Sequence, residues 1–390
     1  MIVTRPTIPA SRFAERLRAA RGLAERTGLS AVLVGVGADM RYFCGYAATP
    51  LERLTMLAIP ANGDPILVVP RLEAAPARLA PPVAAGLLAL ETWDEGGDAY
   101  ALVASVVRAA TRQSSPATLR IAVSDDLPAR HLLPLEERLG DPIVSLASGV
   151  LRDIRMIKDP DEIALLTLAA QAADRVVTQI AAGRLVGRTE SDVAREVRER
   201  LLAEGHDEAH FAIVGSGPNS ASPHHEASDR VIQAGEPIVL DIGGVLGGYG
   251  SDTTRTLWVT GGDPANGPTD DFRTIHELVR AANAAATRAV APGAACEQLD
   301  EIARRVIRDG GYGDAFIHRL GHGIGLDGHE DPYLVADSRD SLAPGMAFSI
   351  EPGIYLQDRF GVRIEDIVVC GAGGPDVLNE APRELLVVDG

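Results

Sequence analysis

The chain has 390 residues, which suits two domains, and its share of apolar (46%) and charged (23%) residues excludes a disordered or fibrous chain. Its formal net charge of −17 argues against nucleic acid or an anionic membrane surface as a partner, because an acidic surface repels both. The cysteines, Cys44, Cys296 and Cys370, are too few and too far apart for a disulfide framework and indicate a reducing, cytoplasmic location.

The N-terminal segment lacks the features of a targeting sequence. Residues 1–20 contain no apolar core and are interrupted by charges such as Arg12 and Glu15, so we expect no signal peptide. No run of 18 apolar residues occurs anywhere, so we expect no membrane-spanning helix.

The first part of the chain alternates helical and strand-like segments. Helices are predicted at 9–27 and at about 99–112, and strands at 30–36, 54–60, 65–70 and from Arg120 onward. Such alternation is typical of an α/β domain. We expect this smaller domain to span residues 1–153.

A strong helix start marks the beginning of the second domain. Asp159 can cap the helix, Pro160 suits its first position, and Glu162 completes a capping box. We expect the second domain to span residues 154–390.

The second domain repeats one order of elements, helix, helix, strands, twice. Helices are predicted at 160–181, from Thr189, at 270–290 and at 296–309, and strands at 211–215, 237–243, 251–259, 346–356 and 362–370. The repeated order indicates two similar halves and, with the first domain, an α+β chain.

Each half carries one strand pair with two acidic residues. Asp241 and Asp252 flank a glycine-rich turn, which would form a hairpin and place both on one face, across from each other. Glu351 and Glu365 flank a second turn, near residues 358–361. Burying four carboxylates together is tolerable only if cations neutralise them. The alternative is that these acids are exposed and pair with nearby arginines, Arg255 and Arg363.

A fifth candidate ligand is His322, which stands between Gly321 and Gly323. The two glycines allow the backbone to approach other groups closely and should leave the imidazole exposed. The alternative is a purely structural histidine.

These segments resemble the pita-bread metallopeptidases (family M24), which include methionine aminopeptidase, prolidase and aminopeptidase P. The resemblance covers roughly residues 155–390 and includes the complete order Asp, Asp, His, Glu, Glu. It implies two divalent metal ions, with Asp241 on one, His322 and Glu351 on the other, and Asp252 and Glu365 bridging both.

Within that family the proline-specific branch is most similar, through residues 217–224 and 325–330. The resemblance implies that His224 lies near the leaving nitrogen, that His329 contacts the scissile carbonyl and that Arg363 helps to bind substrate. Glu351 would act as the catalytic base besides binding metal. His224 could instead be an exposed loop residue, and Arg363 a salt-bridge partner of Asp366 or of a metal ligand.

The branch also carries an N-terminal domain of about this size, so the resemblance implies that residues 1–153 serve substrate gating and dimerisation. A small departure is Thr253, where relatives commonly have an apolar residue. It should point away from Asp252 and leave the metals undisturbed.

The expected function is therefore that of a cytoplasmic metal-dependent dipeptidase or aminopeptidase that cuts small peptides before proline. The oxygen-rich ligand set favours Mn²⁺, with Co²⁺, Zn²⁺ and Fe²⁺ as alternatives. The family implies a homodimer. Competing functions are another amide C–N hydrolase on the same scaffold and a non-catalytic binding module, which would have lost metal ligands.

Overall fold

The computed structural model describes residues 5–111 and 118–390. It divides into two compact units, Thr7–Arg155 and Met156–Gly390, the second together with Arg5 and Pro6. The last residue of the helix predicted at 99–112 lies outside the described residues. None of the described helices is both long enough and apolar enough to cross a membrane.

Within its described residues, the first unit is built on a mixed sheet of six strands in the order β4-β3-β2-β1-β5-β6. Its strands are β1 (Ala31–Val34), β2 (Met56–Pro60), β3 (Ile66–Pro70), β4 (Ala89–Trp93), β5 (Arg120–Val123) and β6 (Ile143–Leu146). Its helices are α1 (Ala10–Arg26), α2 (Ala38–Cys44), α3 (Ala74–Ala77), α4 (Pro81–Ala84), α5 (Ala99–Thr111), α6 (Ala129–Leu139) and α7 (Ser148–Met156). Helices α5 and α6 pack on the buried central strands, as expected of an α/β unit.

The second unit contains two helix pairs and three sheets. Its helices are α8 (Pro160–Ala181), α9 (Glu190–Ala203), α10 (Asp270–Ala289) and α11 (Cys296–Asp309). Its strands are β7 (Glu208–Ser216), β8 (Glu236–Leu246), β9 (Tyr249–Val259), β10 (Gly321–Gly323), β11 (Glu330–Leu334), β12 (Ala347–Ile350), β13 (Gly353–Leu356), β14 (Phe360–Arg363), β15 (Asp366–Gly371), β16 (Gly374–Val377) and β17 (Leu386–Val388).

The predicted start of α8 is confirmed. The Asp159 side chain accepts the N–H groups of residues 161 and 162, Pro160 is the first helical residue, and the Glu162 carboxylate accepts the Asp159 N–H. This capping box satisfies backbone donors that the first turn leaves without helical partners.

The first half of this unit is the sheet β17-β9-β8-β7, covered by α8 and α9. Val193, Val197 and Leu201 of α9 are fully buried in the shared core, which confirms the predicted apolar face. The β8–β9 turn consists of Gly247 and Gly248, both at positive φ (62° and 96°), as a tight hairpin of long strands requires.

The second half consists of α10 and α11 packed on the sheet β11-β10-β12-β15-β16, with the two-stranded ribbon β13-β14 beside it. The strands predicted at 346–356 and 362–370 are each interrupted, so that prediction is wrong in detail. Glu351-Pro352 separates β12 from β13, and Ile364-Glu365 separates β14 from β15. Proline has no N–H for a ladder, and the breaks redirect the backbone at the two glutamates.

Candidate metal centre

Asp241 and Asp252 lie on the same face of the β8–β9 hairpin. Asp241 is paired with Thr254, and Asp252 with Gly243, so the two acids are diagonal neighbours and not directly opposite as predicted. Both are buried within strands whose every residue from Pro237 to Leu246 and from Tyr249 to Val259 is buried. The prediction of a shared face is therefore confirmed, and that of direct opposition is wrong.

Glu351 and Glu365 lie at the two strand breaks. The Glu351 N–H donates to the Leu320 carbonyl (2.8 Å), and the Glu365 N–H donates to the Thr254 carbonyl (3.1 Å). These hydrogen bonds replace the ladder bonds that an unbroken hairpin would have made. Through the hydrogen bond of Glu365, the second half of the unit reaches β9 of the first half.

His322 is fixed by both of its glycine neighbours. A Cβ at Gly321 would lie 1.9 Å from the Ser349 carbonyl oxygen, and one at Gly323 would lie 2.2 Å from that of Asp331, so no other residue fits. The expected close approach is confirmed. The imidazole, however, is only 3% exposed, which corrects the expectation of an exposed ring. The ring faces a cavity, and neighbouring segments of the chain cover the rest of the ring.

The tautomer of His322 follows from its hydrogen bond. Its Nδ1 lies 3.0 Å from the Gly323 carbonyl oxygen, which can only accept, so Nδ1 carries the proton. Nε2 then presents its lone pair, 3.4 Å from the Glu351 Oε1 and 3.7 Å from the Asp252 Oδ2. This arrangement is typical of a histidine that binds metal.

The five side chains converge on one place. Three overlapping groups each have potential ligand atoms within 4.8 Å of one another. They are Asp241, Asp252 and Glu365; His322, Glu351 and Glu365; and Asp252, His322 and His329.

Burial and mutual repulsion destabilise the charged forms of these acids. Burial first, and then the charges of the neighbouring acids, raise the pKa of Asp252 and of Glu365 well above their ordinary values. Burial also raises the pKa of Glu351 to about 7, although Arg363 partly opposes it. Burial lowers the pKa of His322 to about 3, which keeps the imidazole neutral. A cation among these groups would relieve the repulsion.

The site fits metal ions on two further observations. The Asp241 Oδ1 and the Glu365 Oε1 are buried and have no hydrogen-bond partner among the described residues. Orphaned buried carboxylate oxygens are costly unless something binds them. Four carboxylates and one neutral imidazole form a donor set suited to divalent cations. These groups could therefore bind metal.

The centre opens into a cavity of about 520 Å³. His224 and His329 line it, and both are more exposed than the five converging groups. Further lining residues are Phe211, Ile213, Pro223, His318, Arg319 and Arg363. Every predicted site residue thus borders this one cavity, including His224, for which an exposed loop position was the alternative.

Arg363 connects the cavity to the acids. Its guanidinium forms an ion pair with Asp241 and donates to the Thr254 Oγ1 (3.1 Å), the Tyr355 hydroxyl (2.8 Å) and the Pro223 carbonyl (3.3 Å). Asp366, named as an alternative partner, instead pairs with Arg255 at 2.7 Å. The alternative, that the four acids are exposed and pair with Arg255 and Arg363, is therefore wrong for the group. Only Asp241 pairs with one of these arginines, Arg363.

His329 is held by Arg319. The Arg319 Nη2 lies 3.4 Å from the His329 Nδ1, and its guanidinium lies 4.5 Å from the centre of the Tyr333 ring. Because an arginine can only donate, this contact favours a proton on the His329 Nε2. The His329 ring lies 3.9 Å from that of His322, centre to centre, at the edge of the acid cluster.

Several residues that support the site were not predicted from the sequence. Thr254 donates to the Glu365 Oε2 (2.7 Å), and Ser349 accepts the His322 N–H (3.1 Å) and donates to the Glu351 Oε1 (3.2 Å). Thr254 stands two residues from Asp252, and Ser349 two residues from Glu351. Because residues two apart on a strand share a face, this spacing could have identified both. His318 accepts from Tyr355, which Arg363 contacts in turn, and only the fold reveals this chain of contacts.

Two family models match the chain. "Metallopeptidase family M24" matches residues 164–372, and "Creatinase/Prolidase N-terminal domain" matches residues 16–157. Together they confirm the predicted fold class, a pita-bread domain preceded by a smaller domain of the creatinase and prolidase type.

Full-length relatives and a solved structure agree with these matches. A "Probable dipeptidase PepE" of Mycobacterium tuberculosis is 43% identical over 377 residues, 96% of either chain. An "Xaa-Pro dipeptidase" of Lactobacillus delbrueckii is 34% identical over 375 residues, covering 93% of this chain and 96% of the other. A crystal structure of recombinant prolidase from Thermococcus sibiricus superimposes with a TM-score of 0.86 at 32% identity, covering 98% of this chain and all of that one. With its acid and histidine cluster and these matches, the chain belongs to metallopeptidase family M24.

Proposed function

We propose that this metallopeptidase is an Xaa-Pro dipeptidase that uses two divalent metal ions. The observation that supports the proposal best is the convergence of four carboxylates and one neutral imidazole beside a cavity lined by two further histidines and an arginine. A binding module would have no need to keep so costly a cluster of buried acids.

The proposed metal ligands are Asp241, Asp252, His322, Glu351 and Glu365. Asp241 would bind one ion, His322 and Glu351 the other, and Asp252 and Glu365 both. The two orphaned oxygens, on Asp241 and Glu365, support this assignment because metal ions would satisfy them. We propose Mn²⁺ because four of the five donors are carboxylates, which favour harder cations.

Metal ions bound there would lower the pKa of a water and polarise the scissile carbonyl. The chain's own residues would supply the proton transfers and the orientation. Glu351 would accept the proton of the attacking water. His329, which lines the cavity and whose Nε2 carries the proton, would donate to the carbonyl oxygen, and His224 would donate to the departing proline nitrogen. Arg363 would bind substrate while it holds Asp241 and the loop at Pro223.

A preference for dipeptides over longer peptides is supported by the relatives. Two proteins that match nearly the whole chain are called dipeptidases, and a solved structure of the same extent is a prolidase. The proline-specific aminopeptidase and other amide hydrolases on this scaffold remain the alternatives that an assay must separate.

The test is a hydrolysis assay of the Mn²⁺-loaded protein on Ala-Pro, Ala-Pro-Ala and Ala-Ala. The proposal predicts rapid cleavage of Ala-Pro, little cleavage of Ala-Pro-Ala and little of Ala-Ala. Faster cleavage of Ala-Pro-Ala would indicate an aminopeptidase, and cleavage of neither proline peptide would refute the proposal. Asp252→Asn should abolish activity, whereas Glu301→Gln, at an exposed ion pair with Arg308, should not change it.

Residues 1–153 would serve substrate gating and dimerisation, as in the proline-specific branch of the family. We propose a homodimer, which light scattering during size-exclusion chromatography would test. A cytoplasmic location is supported by the cysteines, which are all buried free thiols and so suit a reducing compartment.

A further inference from the structure

Glu190 is a buried carboxylate outside the metal centre that no step above uses. It is the first residue of α9 and is fully buried. Its Oε1 accepts from the Ser216 N–H (2.8 Å) and hydroxyl (2.7 Å), and its Oε2 from the Ser228 N–H (3.1 Å) and hydroxyl (2.6 Å). The Asn219 amide (3.1 Å) and the His225 Nε2 (2.7 Å) complete its set of donors.

These donors lie at the two ends of one loop. Ser216 ends β7, and Ser228 stands twelve residues later, so a single side chain holds both ends of the intervening segment, 217–227. The neighbouring Ser191 adds two hydrogen bonds, from its N–H to the Ser228 carbonyl (2.9 Å) and from its hydroxyl to the Ala227 carbonyl (3.1 Å). The N-terminus of α9 therefore acts as the anchor of this loop.

The loop carries His224 into the cavity. His224 and His225 are consecutive, and they face different ways: His224 lines the cavity, while His225 points to Glu190 and keeps only 15% of its side chain exposed. On the cavity side, the loop is held at the Pro223 carbonyl by Arg363 (3.3 Å). The contact between His225 and Glu190 therefore separates the directions of the two histidines.

The charge of Glu190 makes this anchor strong. Burial alone raises the pKa of Glu190, but hydrogen bonds from Ser228, His225 and Ser216 outweigh it and bring the pKa to about 2. Glu190 is therefore an anion at neutral pH, and its hydrogen bonds are charge-assisted. A buried anion without donors is very costly, so loop conformations that would withdraw these donors from Glu190 are disfavoured.

We propose that Glu190 is a positioning residue that sets the orientation of His224 through His225. The inference rests on the proposed function, in which His224 acts on the substrate. It predicts that His225 and Glu190 contribute to turnover only by way of His224.

The test is a double-mutant cycle on Ala-Pro hydrolysis with His224→Ala, His225→Ala and the double variant. A displacement of His224 by about 1 Å should lower kcat about 10²-fold. We therefore expect His225→Ala to lower kcat by that order with a much smaller change in KM. The double variant should be no less active than His224→Ala alone, because a residue that acts through another adds nothing once the other is absent. Additive losses, or an unimpaired His225→Ala variant, would overturn the inference.

A conservative replacement of His225 separates a positioning role from an effect on overall stability. A glutamine Nε2 can donate to Glu190 where the His225 Nε2 does, so His225→Gln should recover most of the activity lost in His225→Ala. Both variants should remain folded at the assay temperature and keep wild-type metal content, although His225→Ala should melt at a lower temperature because it removes a hydrogen bond to a buried anion. His210→Ala is the matched control, because the exposed His210 contacts only the Glu208 carboxylate (3.3 Å) among the hydrogen-bond partners described and does not line the cavity. It should be as active as wild type.

Hydrogen exchange tests the anchor without relying on activity. In Glu190→Gln, the amides of residues 217–228, other than Pro218 and Pro223, should exchange at least about tenfold faster than in wild type, because the new amide nitrogen is a donor that faces the donors of the loop. Glu196→Gln, on the same helix but paired with Arg188 and Arg200, should leave that segment unchanged. Unchanged exchange in Glu190→Gln would overturn the inference. A wild-type protein that cleaves no Xaa-Pro substrate would instead refute the proposed function, with the exchange result still valid.

Discussion

Thr254 binds Glu365 twice. Its hydroxyl donates to the Glu365 Oε2 at 2.7 Å, and its backbone carbonyl accepts the Glu365 N–H at 3.1 Å. The first contact directs the carboxylate, and the second places the backbone that carries it. Because Thr254 is on β9 and Glu365 follows β14, this pair joins the acidic segments of the two halves.

Thr254→Val should weaken metal binding without unfolding the protein. The substitution keeps the shape and removes the hydroxyl that orients Glu365 and accepts from Arg363. Loss of such a supporting contact typically costs about 10- to 100-fold in metal affinity. Isothermal titration of the metal-free protein with Mn²⁺ measures the change.

The matched control is Thr253→Val, one residue earlier on the same strand. Thr253 points to the opposite face, where its hydroxyl accepts from the Asn379 amide at 2.9 Å. This variant should lose stability but keep wild-type Mn²⁺ affinity. Equal loss of affinity in both variants would show that the hydroxyl of Thr254 has no specific role.

Lys158→Met should be strongly destabilising. Lys158 is the sole lysine of the chain, and its Nζ lies 2.5 Å from the Glu330 Oε1 with only 1% of its side chain exposed. Removing one member of a buried ion pair typically costs about 3–5 kcal/mol, because the other charge stays buried. Urea unfolding measures the free energy of unfolding.

Two further variants show whether the loss of stability comes from the buried, unpaired charge. Adding Glu330→Gln to Lys158→Met should restore part of the stability, since the buried charge is then removed as well. Arg175→Met, which breaks the more exposed pair with Glu204, should cost no more than about 1 kcal/mol. A Lys158→Met variant as stable as wild type would contradict the importance of the pair.

Acid should destabilise the fold partly through His276. Burial lowers the pKa of His276 from 6.5 to about 4. Between pH 6.5 and pH 4, the unfolded chain therefore binds a proton at this position that the folded chain does not bind. Its contribution to stability is therefore complete above pH 6.5 and is lost as the pH falls toward 4, by up to about 3 kcal/mol.

His276→Phe removes this titration and keeps an aromatic ring beside Phe272, whose centre lies 6.3 Å away. The free energy of unfolding, measured with a chelator present so that metal release does not contribute, should then fall less steeply between pH 6.5 and 4 than in wild type. Identical slopes in the two proteins would show that His276 titrates normally in the folded state.

Helices and acidic motifs could be predicted from the sequence because their signals are local. The capping residues of α8 fixed its start, and the spacing of Val193, Val197 and Leu201 predicted the buried face of α9. The glycines beside His322 likewise indicated a close backbone approach, which the contacts with Ser349 and Asp331 explain.

The remaining features depend on contacts between distant segments. At the two breaks, the backbone N–H groups of Glu351 and Glu365 donate to the Leu320 and Thr254 carbonyls, and neither partner is identifiable from the strand pattern. The same is true of Glu190, whose partners are 26 to 38 positions away along the chain. Local propensity carries no information about such pairings, which tertiary packing decides.

The central claim is that the converging acids and His322 hold two divalent ions, and metal stoichiometry tests it most directly. Protein that has been stripped with a chelator, loaded with Mn²⁺ and passed through a desalting column is analysed by elemental mass spectrometry. We expect two Mn²⁺ ions per chain in wild type and a clear loss of metal in Glu365→Gln, since that residue would contact both ions. No bound metal in wild type, or an undiminished pair in Glu365→Gln, would contradict the account.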